Sequence, residues 1–282
     1  MRVVFVTPEE PSVMPVFFGK VIPRLGEEVA ALAVVSPIYK RSSWLRQAKR
    51  FAASFGWRAF AVEAAHYALE KAARRSVKGI ARSHDVPVLT PPDVNAPDFI
   101  DEVRRIGPDL IVSVSCPQVF GEELLGLPRL GCINVHSSLL PAYRGMLPTF
   151  WVLAQGETGT GVTVHYMSVG IDEGAIIAQR EIPIASDETL QTLMRTSKAV
   201  AADLVLETIE RFRDGPLPGR SNPADPHAFF GSDRRGFETG SGETVEVECP
   251  ECDAVLSLDR ALLALNPEIL CAGCDATIAV GS

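Results

Sequence analysis

The chain has 282 residues, 46% of them hydrophobic, and a formal net charge of −8. That length suits one large domain or a domain with a small appendage, and the apolar content is ample for a real core. No run of 18 or more apolar residues occurs, which argues against a membrane-spanning helix, and six cysteines do not suggest a disulfide framework.

Met1-Arg2 leads straight into VVFV, which reads as a first strand and not as a signal peptide. Four of the cysteines form two CxxC pairs, which favours metal in a reducing compartment, so a cytoplasmic location is expected. The net charge hides an asymmetry. Residues 40–82 carry eleven Lys and Arg against Glu63 and Glu70, whereas residues 240–282 carry eight Asp and Glu against Arg260 alone.

Val3 to Val6 is apolar without alternation, as a buried parallel strand is. No GxGxxG follows it, so a dinucleotide fingerprint is absent. Val16 to Leu25 has helical spacing interrupted by Pro23, and Val29 to Val35 is the next strand. In residues 40–82 Trp44, Phe51, Phe55, Trp57, Phe60 and Tyr67 are interleaved with basic residues. Amphipathic helices with solvated cations are the plain reading. A site for a phosphorylated substrate, a membrane-surface patch and a nucleic-acid surface remain open beside it. Ser83 to Leu89 reads as a turn entering a short strand, with His84 structural. Pro97 to Ile106 suits a helix, and Asp109 to Ser115 a buried strand. The lone thiols Cys116 and Cys132 read as small packed hydrophobes.

Cys132 to Val135 is the next strand, and Asn134 and His136 stand two apart, so they leave it on one face. Ser137 to Gly145 is loop material. Open α/β sheets place their chemistry at such a strand end, although a satisfied structural pair would look the same. Met146 to Gln155 reads as a helix with Pro148 in its first turn and with Phe150 and Trp151 in the core. Val162 to Met167 is a strand whose His165 and Met167 share a face opposite Tyr166. Gly170 to Gly174 is a loop that holds Asp172, and Ala175 to Ile182 closes the sheet. Ser186 or Asp187 can cap a long helix from Glu188 to about Arg213, with Gly215 as its stop.

Two stretches, GCINVHSSLLPAYRG at 131–145 and GVTVHYMSVGIDEG at 161–174, together resemble the 10-formyltetrahydrofolate-dependent formyltransferases. That family includes methionyl-tRNA, glycinamide-ribonucleotide and sugar-amine formyltransferases. The resemblance implies a Rossmann-like, mostly parallel α/β sheet with helices on both faces. It covers about residues 1–215 and implies Asn134, His136 and Asp172 as catalytic residues. It further implies Ser115, Cys116, Ser138, Leu139, Leu140, Pro141, Gly170, Ile171 and Gly174 as contacts of the folate co-substrate. Tyr143, Arg144, Gly145 and His165 are candidate substrate contacts.

Three needs of formyl transfer fit this set. Asn134 offers an uncharged donor to a tetrahedral oxyanion. His136 can exchange a proton near neutral pH. Asp172 can hold the imidazolium or take the amine proton through a water. No Ser-His-Asp arrangement is evident, so an acyl-enzyme is not expected.

After the long helix the sequence becomes rich in Pro, Gly, Ser and Asn, and residues 216–242 read as a linker. Residues 243–282 hold Cys249-x₂-Cys252 and, eighteen residues on, Cys271-x₂-Cys274, a zinc-ribbon spacing. Four thiolates leave no open metal position, so the zinc is expected to be structural. The acidic tail disfavours a phosphate backbone as partner and leaves a protein partner for the ribbon. The basic C-terminal barrel of the tRNA-acting members is not recognisable. The reading is therefore a formyltransferase acting on a small-molecule amine, preferably an amino sugar, possibly nucleotide-linked. Methionyl-tRNA formyltransferase, formyltetrahydrofolate hydrolase and a non-catalytic adaptor acting through the ribbon are the alternatives.

Overall fold

The computed structural model describes residues 1–35 and 76–223, and beyond them only the backbone of five short strands. The basic stretch up to residue 75 and the four CxxC cysteines lie outside the described residues.

Seven strands form one sheet: β1 (Val3–Pro8), β2 (Val29–Val35), β3 (Val88–Leu89), β4 (Leu110–Val114), β5 (Cys132–His136), β6 (Gly159–Tyr166) and β7 (Ile176–Pro183). Their order is β3-β2-β1-β4-β5-β6-β7. The strands from β3 to β5 pair in parallel, and β6 and β7 add an antiparallel edge. The chain winds from β1 outward to β3, then returns to the other side of β1 with β4. That reversal opens a crevice beyond the carboxyl ends of β1 and β4.

Alternation along the central strands feeds two cores. Val3 and Phe5 of β1, with Leu32 and Val34 of β2, face a cluster built with α1 (Met14–Leu25) and α6 (Leu190–Phe212). Val4, Val6, Ala31 and Ala33 face the other side, against Phe99 and Val103 of α3 (Pro97–Ile106) and Leu124 of α4 (Glu122–Leu125). Apolar side chains on both faces explain why β1 and β2 read as continuous hydrophobic runs. A short α2 (Val77–Ser83) packs on α1. These helices cover both faces of the sheet, as a Rossmann-like layer arrangement requires. No helix among the described residues is long and apolar enough to cross a membrane.

Several local details differ from the sequence reading. Helix α1 runs through Pro23 and stops at Gly26, whose φ is +56°. The cap of α6 is Thr189, not Ser186 or Asp187: Thr189 and Thr192 exchange side-chain and backbone hydrogen bonds in a capping box. Helix α5 (Pro148–Ala154) buries Thr149 and Val152, while Phe150 stays exposed, so the Phe150 core assignment is corrected. In so short a helix only one face reaches the core, and Phe150 is not on it.

Candidate active site

At the carboxyl ends of β1, β4 and β5 lies a cavity of about 790 Å³. Asn134 and His136 of β5 both line it, as their two-residue spacing requires, and so do His165 and Met167. Tyr166 turns to the opposite side, where its ring meets Phe212 and its hydroxyl donates to the Leu217 carbonyl. Asp172 reaches the cavity from the loop between β6 and β7.

These four polar residues form one cluster. Asn134 Nδ2 donates to Asp172 Oδ1 at 3.1 Å and lies 3.2 Å from His165 Nε2. Asp172 Oδ2 accepts from the Gly145 amide at 2.9 Å and sits 3.4 Å from His136 Nδ1. His165 Nδ1 is 2.8 Å from the Tyr166 carbonyl. A carbonyl can only accept, so Nδ1 of His165 carries the proton and Nε2 is free to accept from Asn134. By the same rule His136 Nε2, 2.7 Å from the Tyr143 carbonyl, is protonated. Its Nδ1 therefore presents a lone pair on the side of Asp172.

Burial lowers the His136 pKa; Asp172 and the Tyr143 carbonyl oppose this without reversing it. His136 is thus neutral at pH 7. Burial alone would raise the Asp172 carboxyl, but the charges His136 and His165 carry when protonated, with the Gly145 amide, outweigh it and hold it below the usual carboxylate range. An ionised Asp172 accepts only, which fixes the orientation of the Asn134 carboxamide. Burial pushes Cys116 up to about 11 and Cys132 up to about 12, so neither is a thiolate near neutral pH.

The backbone around the cavity is unusual. Ser115, Tyr143, Leu147 and Asp172 all have φ between +52° and +58°, a region that L side chains rarely adopt. Such residues cluster at functional sites because only surrounding structure can hold them there.

The remaining sequence candidates divide. Ser115, Cys116, Gly145, Gly170 and Ile171 line the cavity. Ser138, Leu139, Leu140, Pro141 and Gly174 do not. Ser138 Oγ donates to the Ala142 carbonyl, and Leu140 is bound through its amide by Thr163 and through its carbonyl by Gln179. Leu139 packs against Gly161. This turn shapes the loop behind the site. Gly174 lets the chain pass Tyr166, since a Cβ there would meet the Tyr166 carbonyl at 1.7 Å. Arg144 is buried and turned away from the cavity: its Nη2 donates to the Asn222 carbonyl and side chain and to the Pro223 carbonyl. Tyr143 contributes its carbonyl to His136 and its hydroxyl to Glu157.

Lys198 is a cavity residue that lies outside the sequence motifs. Lys198 of α6 is 4% exposed, and its Nζ donates to Ser115 Oγ at 2.8 Å and Ser137 Oγ at 3.2 Å. Burial lowers its pKa to about 8, partly opposed by Glu10. The available signal was its place between Met194 and Ala201, on the buried side of an amphipathic helix.

The formyl transferase family model matches residues 15–209. The chain belongs to that family. Methionyl-tRNA formyltransferase of Geobacter sulfurreducens is 45% identical over 141 residues, which are 50% of this chain and 44% of the relative. The enzyme of the same name from Ruminiclostridium cellulolyticum is 37% identical over 148 residues, 52% of this chain and 47% of the relative. The matched stretches thus span less than half the length of these relatives. Among solved structures, glycinamide ribonucleotide transformylase 1 from Symbiobacterium toebii has a TM-score of 0.55 at 19% identity, over 80% of this chain and 94% of its own. A sugar N-formyltransferase from a Shewanella species has a TM-score of 0.54 at 16% identity, over 91% and 96%. At such identities the structural likeness speaks for the fold.

Proposed function

We propose that this formyl transferase family member moves a formyl group from 10-formyltetrahydrofolate to an amine, in the cavity beyond β1, β4 and β5. The observation that carries the reading is the convergence of Asn134, His136, His165 and Asp172 on one wall of that cavity. The cavity is of ligand size, and its rim of Val119, Met146, Leu147 and Ile171 suits a flat, largely apolar co-substrate.

The amine attacks the formyl carbon and leaves a tetrahedral oxyanion and an ammonium. The formyl oxygen competes for one of the two Asn134 Nδ2 hydrogens, which in the resting site face Asp172 at 3.1 Å and His165 at 3.2 Å. Neutral His136 takes the ammonium proton at Nδ1, and the imidazolium so formed lies beside ionised Asp172. The same proton returns to N10 as the C–N10 bond breaks. Products are the formamide and tetrahydrofolate.

The preferred acceptor is an amino sugar, because the acidic residues 240–282 oppose a polyanionic partner. The methionyl-tRNA reading is favoured by the named relatives. The test measures tetrahydrofolate formed with no acceptor, with a panel of nucleotide-linked amino sugars, and with charged initiator tRNA. Turnover dependent on one amine and lost in His136→Ala names the acceptor. Turnover without an amine makes the protein a hydrolase. Absence of both turnover and folate binding overturns the reading.

The cysteine pairs belong to the same proposal, as holders of one structural zinc. In sequence, Cys249 and Cys252 stand between the paired strands Thr244–Glu248 and Val255–Asp259. Cys271 and Cys274 stand between Glu268–Leu270 and Thr277–Ala279. Two CxxC pairs set between such strands fit a tetrahedral Cys₄ site. Metal analysis should find one zinc per chain, lost in Cys252→Ser.

A further inference from the structure

Residues 217–223 read as the start of a linker, yet they run back past Tyr166 and the start of β7 to the Asp172 loop. Leu217 exchanges hydrogen bonds with the Tyr166 hydroxyl through its amide and carbonyl. Arg220 and Ile176 bridge through their backbones in both directions, at 2.8 and 3.0 Å. Asn222 then places its carboxamide over the Asp172 loop. Its Nδ2 donates to the carbonyls of Asp172 and Gly174, each at 2.9 Å, and its Oδ1 accepts from Arg144 Nη2 at 2.8 Å. Arg144 Nη2 also holds the carbonyls of Asn222 and Pro223.

We infer that Asn222 is a positioning residue: held by Arg144, its carboxamide fixes the backbone of the Asp172 loop and so sets the placement of Asp172 against His136. The inference rests on the function proposed above. Three observations carry it. Asp172 has φ +52°, a conformation that needs an external holder. Both carbonyls flanking the bend end on one side-chain amide, so a single group restrains the bend from two points. Among the described residues Arg144, a buried cation, gives its side-chain hydrogen bonds to Asn222 and Pro223, so it anchors this strap.

The consequence is chemical as well as structural. The titratable groups that face His136 are Asp172 from the loop, His165 from β6 and Lys198 from α6. Asp172 is the one of these that favours the imidazolium. Letting Asp172 drift should therefore make His136 harder to protonate.

Asn222→Asp is the discriminating variant. It keeps the oxygen that faces Arg144 and gains an ion pair there, so the strap stays anchored. It loses both donors and sets a carboxylate oxygen against two carbonyls. Asn222→Ala loses all three bonds. The test uses the full chain and two readouts. The first is the His136 ring titration by NMR, assigned with His136→Ala among five histidines. The second is tetrahydrofolate formation under whichever acceptor condition supports turnover in wild type.

In Asn222→Asp the His136 titration should move down by roughly one unit, the size of one close opposite charge. Its kcat should fall roughly 100-fold, as for a misplacement of about 1 Å, with a smaller change in KM. Thermal stability should fall in both variants, and less in Asn222→Asp, which keeps its bond to Arg144. Unchanged His136 titration and kcat in Asn222→Asp overturn the inference, and so does a loss of activity that only follows the loss of stability. Full activity of His136→Ala would instead overturn the function proposed for the site, a separate outcome.

Discussion

The strand wall and the loop rim of the cavity are built on opposite terms. On the strand wall His136 and His165 are buried, and nearly every polar atom of the Asn134–His136–His165–Asp172 cluster has a partner. On the rim Val119, Met146, Leu147 and Ile171 keep between 44% and 62% of their surface in water. The wall is preorganised, with its donors and acceptors fixed by β5, β6 and a strapped loop. The rim is unfinished apolar surface that a ligand would cover. Chemistry and recognition are therefore separable in this molecule, and substitutions on the two sides should separate in kcat and KM.

The largest effect is expected on the wall. His136→Ala would remove the proposed proton carrier, and Asn134→Ala the proposed oxyanion donor. Each should lower kcat by roughly 10³-fold with KM for the co-substrate little changed, since each group acts mainly in the transition state. Steady-state kinetics on the folded variants checks this. A variant that raises KM and spares kcat would erase the distinction between wall and rim.

Between wall and rim, at the cavity floor, Lys198 gives a stability prediction whose sign can be worked out. Its pKa is about 8 in the folded protein against an ordinary 10.5. Below pH 8 the ammonium is charged in both states, and the folded protein carries the full cost of burying it. Between pH 8 and 10.5 the unfolded chain binds more protons, so this contribution to stability rises with pH. Wild type should gain about 3 kcal/mol on Lys198→Met across that window. Urea denaturation of both proteins at pH 7 and pH 10 measures the difference, and a pH-independent difference would mean that Lys198 is not buried as a cation.

How much of this was legible depended on the range of the interactions. Period-two spacing put Asn134 with His136, and His165 with Met167, because strand geometry is local. The continuous apolar runs of β1 and β2 announced a sheet covered on both faces. Asp172 stood in a short motif whose loop needs Gly174 for a close backbone pass, and that too is local. What stayed hidden joins distant segments. The strap through Asn222 meets Arg144 across 78 residues, and a Pro- and Ser-rich stretch carries no sign of that contact. Arg144 reads as a candidate substrate contact from its place beside the motif, whereas its bonds to Asn222 and Pro223 join distant segments and leave no local sign. The Ser138–Pro141 turn drew attention as a motif. It supports the site from behind, because Thr163 and Gln179 take up its backbone groups.

The smallest predicted effect is the sharpest test of the division, because it asks for a change in one constant alone. Val119 and Met146 line the cavity near its mouth and make no side-chain hydrogen bond to the polar cluster. Replacing either with Ser removes apolar surface that the co-substrate should bury, and leaves His136 and Asp172 where they are. Each side chain is already about half-buried, so the loss is only part of a full burial, about 1 kcal/mol. That corresponds to roughly 5-fold in KM for 10-formyltetrahydrofolate. In the proposed reading the co-substrate would touch the rim equally in the ground and transition states, so kcat should hold constant. A fall in kcat at unchanged KM would place these residues in the chemistry and join the two sides of the cavity into one.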